Sequence, residues 1–376
     1  MNTKDTPAVA QAAASITRFA AVYRVLDEAI AARAFPGCAF GVLAKGEPGG
    51  EFVFMDARGR FTYDEESPAV AANTIYDIAS ITKVASTAAA AMLLHLRGHL
   101  ALDIPLGELL PGFVVGREPG NRARRVTLRH LLAHNSGLPG YVGFFRAATT
   151  PAALYRACLE LPLEAEPGER AEYSDPGFIL LGKALEVLTG EALATWVQRE
   201  IFQPLGLQST RFSPPPAAQS SIPPTEEDTT LRHRLIQGEV QDENAWLLGG
   251  IAGHAGLFSN VGDLLSFAGE ILDATARSAN ARVLDAATVE LFAQRQGPTG
   301  SSRALGWDTP SENSSSGHHF SAHSIGHLGF SGCSLWIDLD ARIAIALLTN
   351  RTWPDRQSQG IREVRPAFHD ALRQAL

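Results

Sequence analysis

The sequence predicts an α+β fold: an antiparallel sheet flanked by helices, plus a mostly helical lobe. Three observations carry this expectation. Strand-like pairs lie near both ends of the 376-residue chain, at 38–43 with 51–55 and at 334–338 with 342–348. A helical pattern precedes the first pair and another follows the second. Between the pairs, residues 80 to 266 read as largely helical, so one sheet drawing on both ends must close across a helical insertion.

Taken in order, Ile16, Phe19, Ala20, Val22, Tyr23, Leu26 and Ile30 recur at helical spacing and predict an amphipathic helix over 13–32. Pro36-Gly37 ends it, and the turn-rich stretch 45–50 joins the first two strands. The Pro-rich stretch 213–224 interrupts the helical middle and is read as an ordered loop, whereas 311–316 is polar enough to be mobile. A turn at 339–341 joins the second strand pair, and the last twenty residues read as helix. The chain is expected to form one catalytic unit, 1–376. Its α/β lobe covers about 1–79 and 267–376, its helical lobe about 80–266, and a cleft lies between them.

Composition narrows the function. Hydrophobic residues make up 45% and charged residues 19%, the balance of a globular protein able to bury a core. A net charge of −8 argues against a nucleic-acid partner, and the densest basic run, Arg122, Arg124 and Arg125, reads as a solvated loop. The apolar run 84–102 contains His95, Arg97 and His99, so a membrane span is not expected. Cys38, Cys158 and Cys333 are too few and too scattered for a disulfide framework and are assigned to the core. With no basic region followed by an apolar one at the N-terminus, a cytoplasmic location is expected. Neither a cofactor nor a metal is expected: His130 and His134 stand at i, i+4, but no Glu follows His130 as zinc hydrolysis would need.

Chemistry concentrates in three segments. Ser80-Ile81-Thr82-Lys83 opens an Ala-rich helix and places Ser80 and Lys83 on one face, where an amine can activate a hydroxyl. The chain holds 28 Arg and only four Lys (Lys4, Lys45, Lys83 and Lys183), and only Lys can give up its proton and act as a base. Tyr173-Ser174-Asp175-Pro176-Gly177 offers a phenolic base and a relaying hydroxyl, or else a helix cap. Gly326-His327-Leu328-Gly329-Phe330-Ser331-Gly332 enters a strand, and its glycines let a substrate lie against the strand edge.

In order and spacing, these segments resemble the S-x-x-K, Y-S-[ND] and [KH]-x-G motifs of the serine β-lactamases and penicillin-binding proteins. The resemblance is to the branch with class C β-lactamases, D,D-carboxypeptidases, D-aminopeptidases and related esterases, and it extends to 129–139, Pro204-Leu205-Gly206-Leu207 and 250–259. It implies a β-lactamase/transpeptidase-like fold and a serine hydrolase. Ser80 would attack an ester or amide carbonyl to form an acyl-enzyme, Lys83 and Tyr173 would share the proton, and either could be the base. The family's oxyanion hole maps onto the N–H groups of Ser80 and Phe330, with Asp175, His327 and Gly329 completing the substrate site. The expected partner is a small ester, amide or peptide. An esterase, amidase or D-amino-acid peptidase is favoured over a D,D-carboxypeptidase or β-lactamase, and over a non-catalytic ligand sensor or self-assembling scaffold; the oligomeric state is not legible.

Two departures from the family pattern matter. Asp175 replaces the commoner Asn and adds negative charge near Lys83, which keeps that amine protonated. His327-Leu328-Gly329 replaces Lys-Thr-Gly, removing a fixed cation and a hydroxyl. An imidazole with an ordinary pKa of ~6.5 is mostly neutral at pH 7, so uncharged substrates are expected to be handled better than carboxylates, with partial rescue below pH 6. Ser331 is the one neighbour that could restore the hydroxyl.

Overall fold

The computed structural model describes residues 17–46 and 50–376. Helix α1 (Ala20–Ala31) leads into β1 (Gly37–Lys45) and β2 (Glu51–Gly59). The middle of the chain supplies α2 (Ala89–Leu96), α3 (Asp175–Thr189) and α4 (Val261–Thr275), and the last third supplies β3 (Ser324–Leu328), β4 (Ser334–Asp338), β5 (Ile343–Thr349) and α5 (Ile361–Gln374). The expected helix residues 13–16 and turn residues 47–49 lie outside the described residues.

The five strands form one antiparallel sheet in the order β2-β1-β5-β4-β3, so the two ends of the chain meet where β1 pairs with β5, Phe40 opposite Leu347. Side chains alternate across a strand. Phe40, Val42, Ile345 and Leu347 face α1 and α5 and pack with Leu26, Phe368 and Leu372, while Ala39, Leu43, Ala344, Ala346 and Leu348 face α4. Both faces are covered, which is why β1 reads as a nearly continuous apolar run. Strand β3, missing from the sequence reading, is the last strand on one side of the sheet; its Ser-Ile-Gly-His-Leu composition carries no alternation to reveal it.

Two expectations are corrected. The lobe boundary at 266/267 falls inside α4, which packs on the sheet because its apolar stripe, including Leu264, Leu265, Ala268 and Ile271, fits that face. The middle is also less uniformly helical than expected. It holds most of a small sheet of Tyr76–Asp77, Leu257–Ser259 and Arg211–Phe212, and a hairpin of Glu226–Asp228 with Arg234–Ile236. The Pro-rich stretch is anchored at its end by Asn350, whose Nδ2 donates to the Pro224 and Phe61 carbonyls at 2.8 Å each.

The helical segment Ala79–Leu96 starts as a 3-10 turn (Ala79–Ile81), passes through π-helix (Lys83–Ala88) and ends as α2. It is long and apolar enough to cross a membrane, but 83% of it is buried inside the fold, where it serves as a core helix. Cys38, Cys158 and Cys333 are all buried free thiols.

Candidate active site

Ser80 sits where the chain leaves a short strand and enters the buried helix. Ala79 before it adopts φ +47°, a left-handed conformation costly for a residue with a Cβ. Asp77 fixes that turn: its Oδ1 accepts the Ala79 N–H and its Oδ2 the Gln241 N–H, each at 2.8 Å. Burial pushes the Asp77 carboxyl up to about 6, although those two bonds pull it down.

Below Ser80, Lys83 is fully buried, and its three N–H bonds have three acceptors: Ser80 Oγ at 3.1 Å, Asp175 Oδ1 at 2.7 Å and the His254 carbonyl at 3.0 Å. Burial alone would lower the Lys83 pKa, but Asp175 and Tyr173 beside it more than reverse this, and the net shift is upward. Lys83 therefore rests as an ammonium. Tyr173 packs beside the pair, its ring centroid 4.8 Å from Lys83 Nζ; burial raises the phenol pKa and Lys83 offsets only part of the rise. Asp175 is the first residue of α3. Ser174 caps that helix, accepting the Gly177 N–H at 3.1 Å and donating to the Pro139 carbonyl at 2.7 Å. Both ends of the Ser174 hydroxyl are occupied, which removes the expected relay role and leaves the cap.

The third segment reaches Ser80 from the end of β3, the last strand on its side of the sheet. A Cβ on Gly329 would stand 2.5 Å from the Ile78 carbonyl, so only glycine lets the end of β3 come this close. Ser331 Oγ, buried, donates to the Asp77 carbonyl at 2.8 Å and ties the two segments together; it is not available to a substrate. Arg365 on α5 holds the same turn, donating to the carbonyls of Gly329 at 2.6 Å, Cys333 at 2.9 Å and Gly332 at 3.2 Å. Phe330 is left projecting, its carbonyl bonded by Arg351 Nε at 2.7 Å. Among the described residues, neither the Ser80 nor the Phe330 N–H donates to a protein acceptor.

His327 is only 3% exposed. Its Nδ1 donates to the Leu328 carbonyl at 2.8 Å, which fixes the neutral tautomer and leaves Nε2 a buried acceptor without a partner. Burial, then Lys83 and Arg303, drive its pKa well below the usual histidine value. The shift works against the cation expected below pH 6. We predict that the ratio of kcat/KM between a carboxylate substrate and its methyl ester is flat from pH 7 to pH 5; a rise of the ratio on acidification, measured by steady-state kinetics, would show His327 gaining charge.

Ser80, Tyr173, Asp175, His327, Gly329 and Phe330 all line one cavity of about 1330 Å³, with Lys83 beneath its floor. Sequence reasoning missed Asp77, Arg365, Arg303 and the role of the His254 backbone. His254 is held by its Nε2 contact to Asp242 at 2.9 Å, and the glycine before it packs so closely that a Cβ there would lie 2.1 Å from the Phe178 carbonyl. Of the histidine pair, His130 Nδ1 faces Thr127 in a capping box and His134 Nδ1 accepts the Ser174 N–H at 2.9 Å, so both rings have structural work.

An antiparallel sheet between helices, with a serine and a buried lysine one turn apart at its edge, defines the β-lactamase/transpeptidase-like class. The chain matches the β-lactamase family over residues 22–366 and belongs to that family, whose members are generally serine hydrolases. It is 31% identical over 309 residues to the N-acetylmuramyl-L-alanine amidase of Bacillus subtilis (strain 168), a match spanning 74% of this chain and 68% of that protein. In fold it is similar to EstCE1, a hydrolase with promiscuous acyltransferase activity (TM-score 0.73, 21% identity, 94% of this chain and 99% of that one). It is also similar to simvastatin synthase LovD from Aspergillus terreus (TM-score 0.70, 20% identity, 95% and 98%).

Proposed function

We propose that this protein hydrolyses small esters or amides through an acyl-enzyme on Ser80. The observation that supports this most is the buried Lys83 ammonium donating to Ser80 Oγ at the floor of a cavity, with Tyr173 packed beside it. In this reading Ser80 Oγ attacks the carbonyl carbon while its proton passes to the Lys83–Tyr173 pair after that pair has lost one proton. The developing oxyanion takes hydrogen bonds from the Ser80 and Phe330 N–H groups. Collapse breaks the bond to the leaving group, which receives the proton from the pair. Water then repeats the sequence on the acyl-enzyme and restores Ser80.

Intact-mass analysis after exposure to a fluorophosphonate, a penicillin and a panel of p-nitrophenyl esters tests the reading. A phosphonyl adduct mapped to Ser80, with turnover of at least one ester, is expected. No adduct and no turnover would leave the ligand-sensor or scaffold reading.

The pH dependence follows from the shifts. Both members of the pair are displaced upward from already basic values, so the base form is scarce at neutrality and grows as pH rises. We expect kcat/KM to climb about tenfold per pH unit between pH 7 and 9. A plateau across that range would place the base elsewhere.

A further inference from the structure

Two peptide groups supply the N–H donors for the oxyanion, Ala79 with Ser80 and Gly329 with Phe330, and each has its carbonyl held from behind. In a trans peptide the C=O and N–H point in opposite directions, so a donor on the carbonyl fixes where the N–H points. The Ala79 carbonyl accepts the buried Thr82 hydroxyl at 2.6 Å. The Gly329 carbonyl accepts Arg365 Nη2, also at 2.6 Å. One peptide is therefore backed by a neutral hydroxyl and the other by a cation.

The turn does not need that cation in order to close. The Gly329 N–H donates to the Cys333 carbonyl at 2.7 Å, and the Gly332 N–H returns to the Gly329 carbonyl at 3.0 Å. Arg365 is nevertheless buried, and among the described residues its hydrogen bonds go only to carbonyls, those of Gly329, Gly332 and Cys333, with no carboxylate in ion-pair range. Burying a charge without an opposite partner is costly. Burial pulls the guanidinium down to about 10, which still leaves it charged at neutral pH. Its neighbour Arg351, bonded to the Phe330 carbonyl, adds a second cation rather than a counter-ion.

We propose that Arg365 is a positioning residue for the oxyanion: through the Gly329 carbonyl it aims the Phe330 N–H into the cavity and polarises that peptide. The inference rests on the serine-hydrolase reading and adds a residue to its machinery. A hydrogen bond accepted at an amide carbonyl strengthens donation by the N–H of the same peptide, and a charged donor does so more than a neutral one. The gain is largest in the transition state, where the substrate oxygen takes on full negative charge, and the Phe330 N–H has no protein acceptor to compete for it.

p-Nitrophenyl acetate and p-nitrophenyl thionoacetate test this. They differ only in the atom that becomes the anion, and sulfur accepts N–H hydrogen bonds far more weakly than oxygen. The ratio of kcat/KM, ester over thionoester, is measured in the wild type, Arg365→Met and Arg365→Lys. It is expected to fall about 10- to 100-fold in Arg365→Met, somewhat less than the loss of a whole oxyanion donor, with Arg365→Lys intermediate because it keeps a point charge and loses the fork. A merely structural role would lower both substrates together and leave the ratio unmoved. A fall of less than about tenfold in folded Arg365→Met overturns the proposal, and if that variant fails to fold, an Arg365→Lys ratio equal to wild type does the same. If either substrate turns over too slowly to follow, the second-order rate of fluorophosphonate labelling at Ser80 replaces the ratio, with the same expected falls and the same overturning results. Wild-type protein that cleaves neither substrate, and forms no adduct at Ser80 with a fluorophosphonate, would instead overturn the hydrolase reading beneath it.

Discussion

Ser80→Ala is expected to lose covalent labelling by fluorophosphonates altogether and to reduce ester turnover by about 10⁴-fold or more, to the level left by the oxyanion donors and binding alone. The argument is local. Ser80 is half-buried at the cavity floor, and its Oγ accepts one bond, from Lys83. Removing the hydroxyl leaves Lys83 with Asp175 and the His254 carbonyl, so the buried ammonium stays paired. The turn itself is held by Asp77 through backbone N–H groups, which the substitution does not touch. Thermal unfolding should therefore shift by no more than a few degrees, the range of a change near 1 kcal/mol or less. Intact mass and steady-state kinetics check the first part, and a thermal melt the second. An adduct on the folded Ala variant would assign the nucleophile elsewhere.

Much of this site was legible because its chemistry is encoded at short range. Ser80 and Lys83 meet through helical spacing, and Tyr173 and Asp175 share one turn, so residue type and local period find them. The strand pairs at both ends were legible for the same reason, their apolar runs being bounded by Gly-rich or Asp-containing turns. What failed was whatever depends on distant partners. The tie between Ser331 and Asp77 joins residues 254 apart, and Arg365 reaches the Gly329 turn from the last helix, so no window of sequence contains either contact. Ser174 could not be assigned between relay and cap until both its donor and its acceptor were located. His327 carried the largest error. An imidazole's charge depends on solvent access, and no local pattern shows that this one is buried against Tyr173 while Lys83 and Arg303 stand nearby. Arg303 had no signal at all: it lies in a polar loop, one Arg among 28.

Lys83 is where the second large effect is expected. Lys83→Met keeps the length and apolar stem of the side chain and removes the ammonium, and kcat/KM should fall about 10²- to 10⁴-fold, the span of a general acid–base contribution. Three bonds vanish together. Ser80 Oγ loses its donor, the His254 carbonyl loses its partner, and Asp175 is left as an unpaired carboxylate, though at 16% exposure it can still reach water. Stability alone therefore does not separate a structural from a chemical role. Lys83→Arg does so, because it retains positive charge opposite Asp175 while its guanidinium cannot release a proton at any accessible pH. If Lys83 takes part in the proton transfer, the Arg variant loses activity as the Met variant does, and the alkaline rise of kcat/KM flattens in both because the coupled partner of Tyr173 is gone. If charge alone is required, the Arg variant keeps near-wild-type kcat with the same rise, and Tyr173 alone is the base. The pH profile of the folded Arg variant, read between pH 7 and 9, decides between the two.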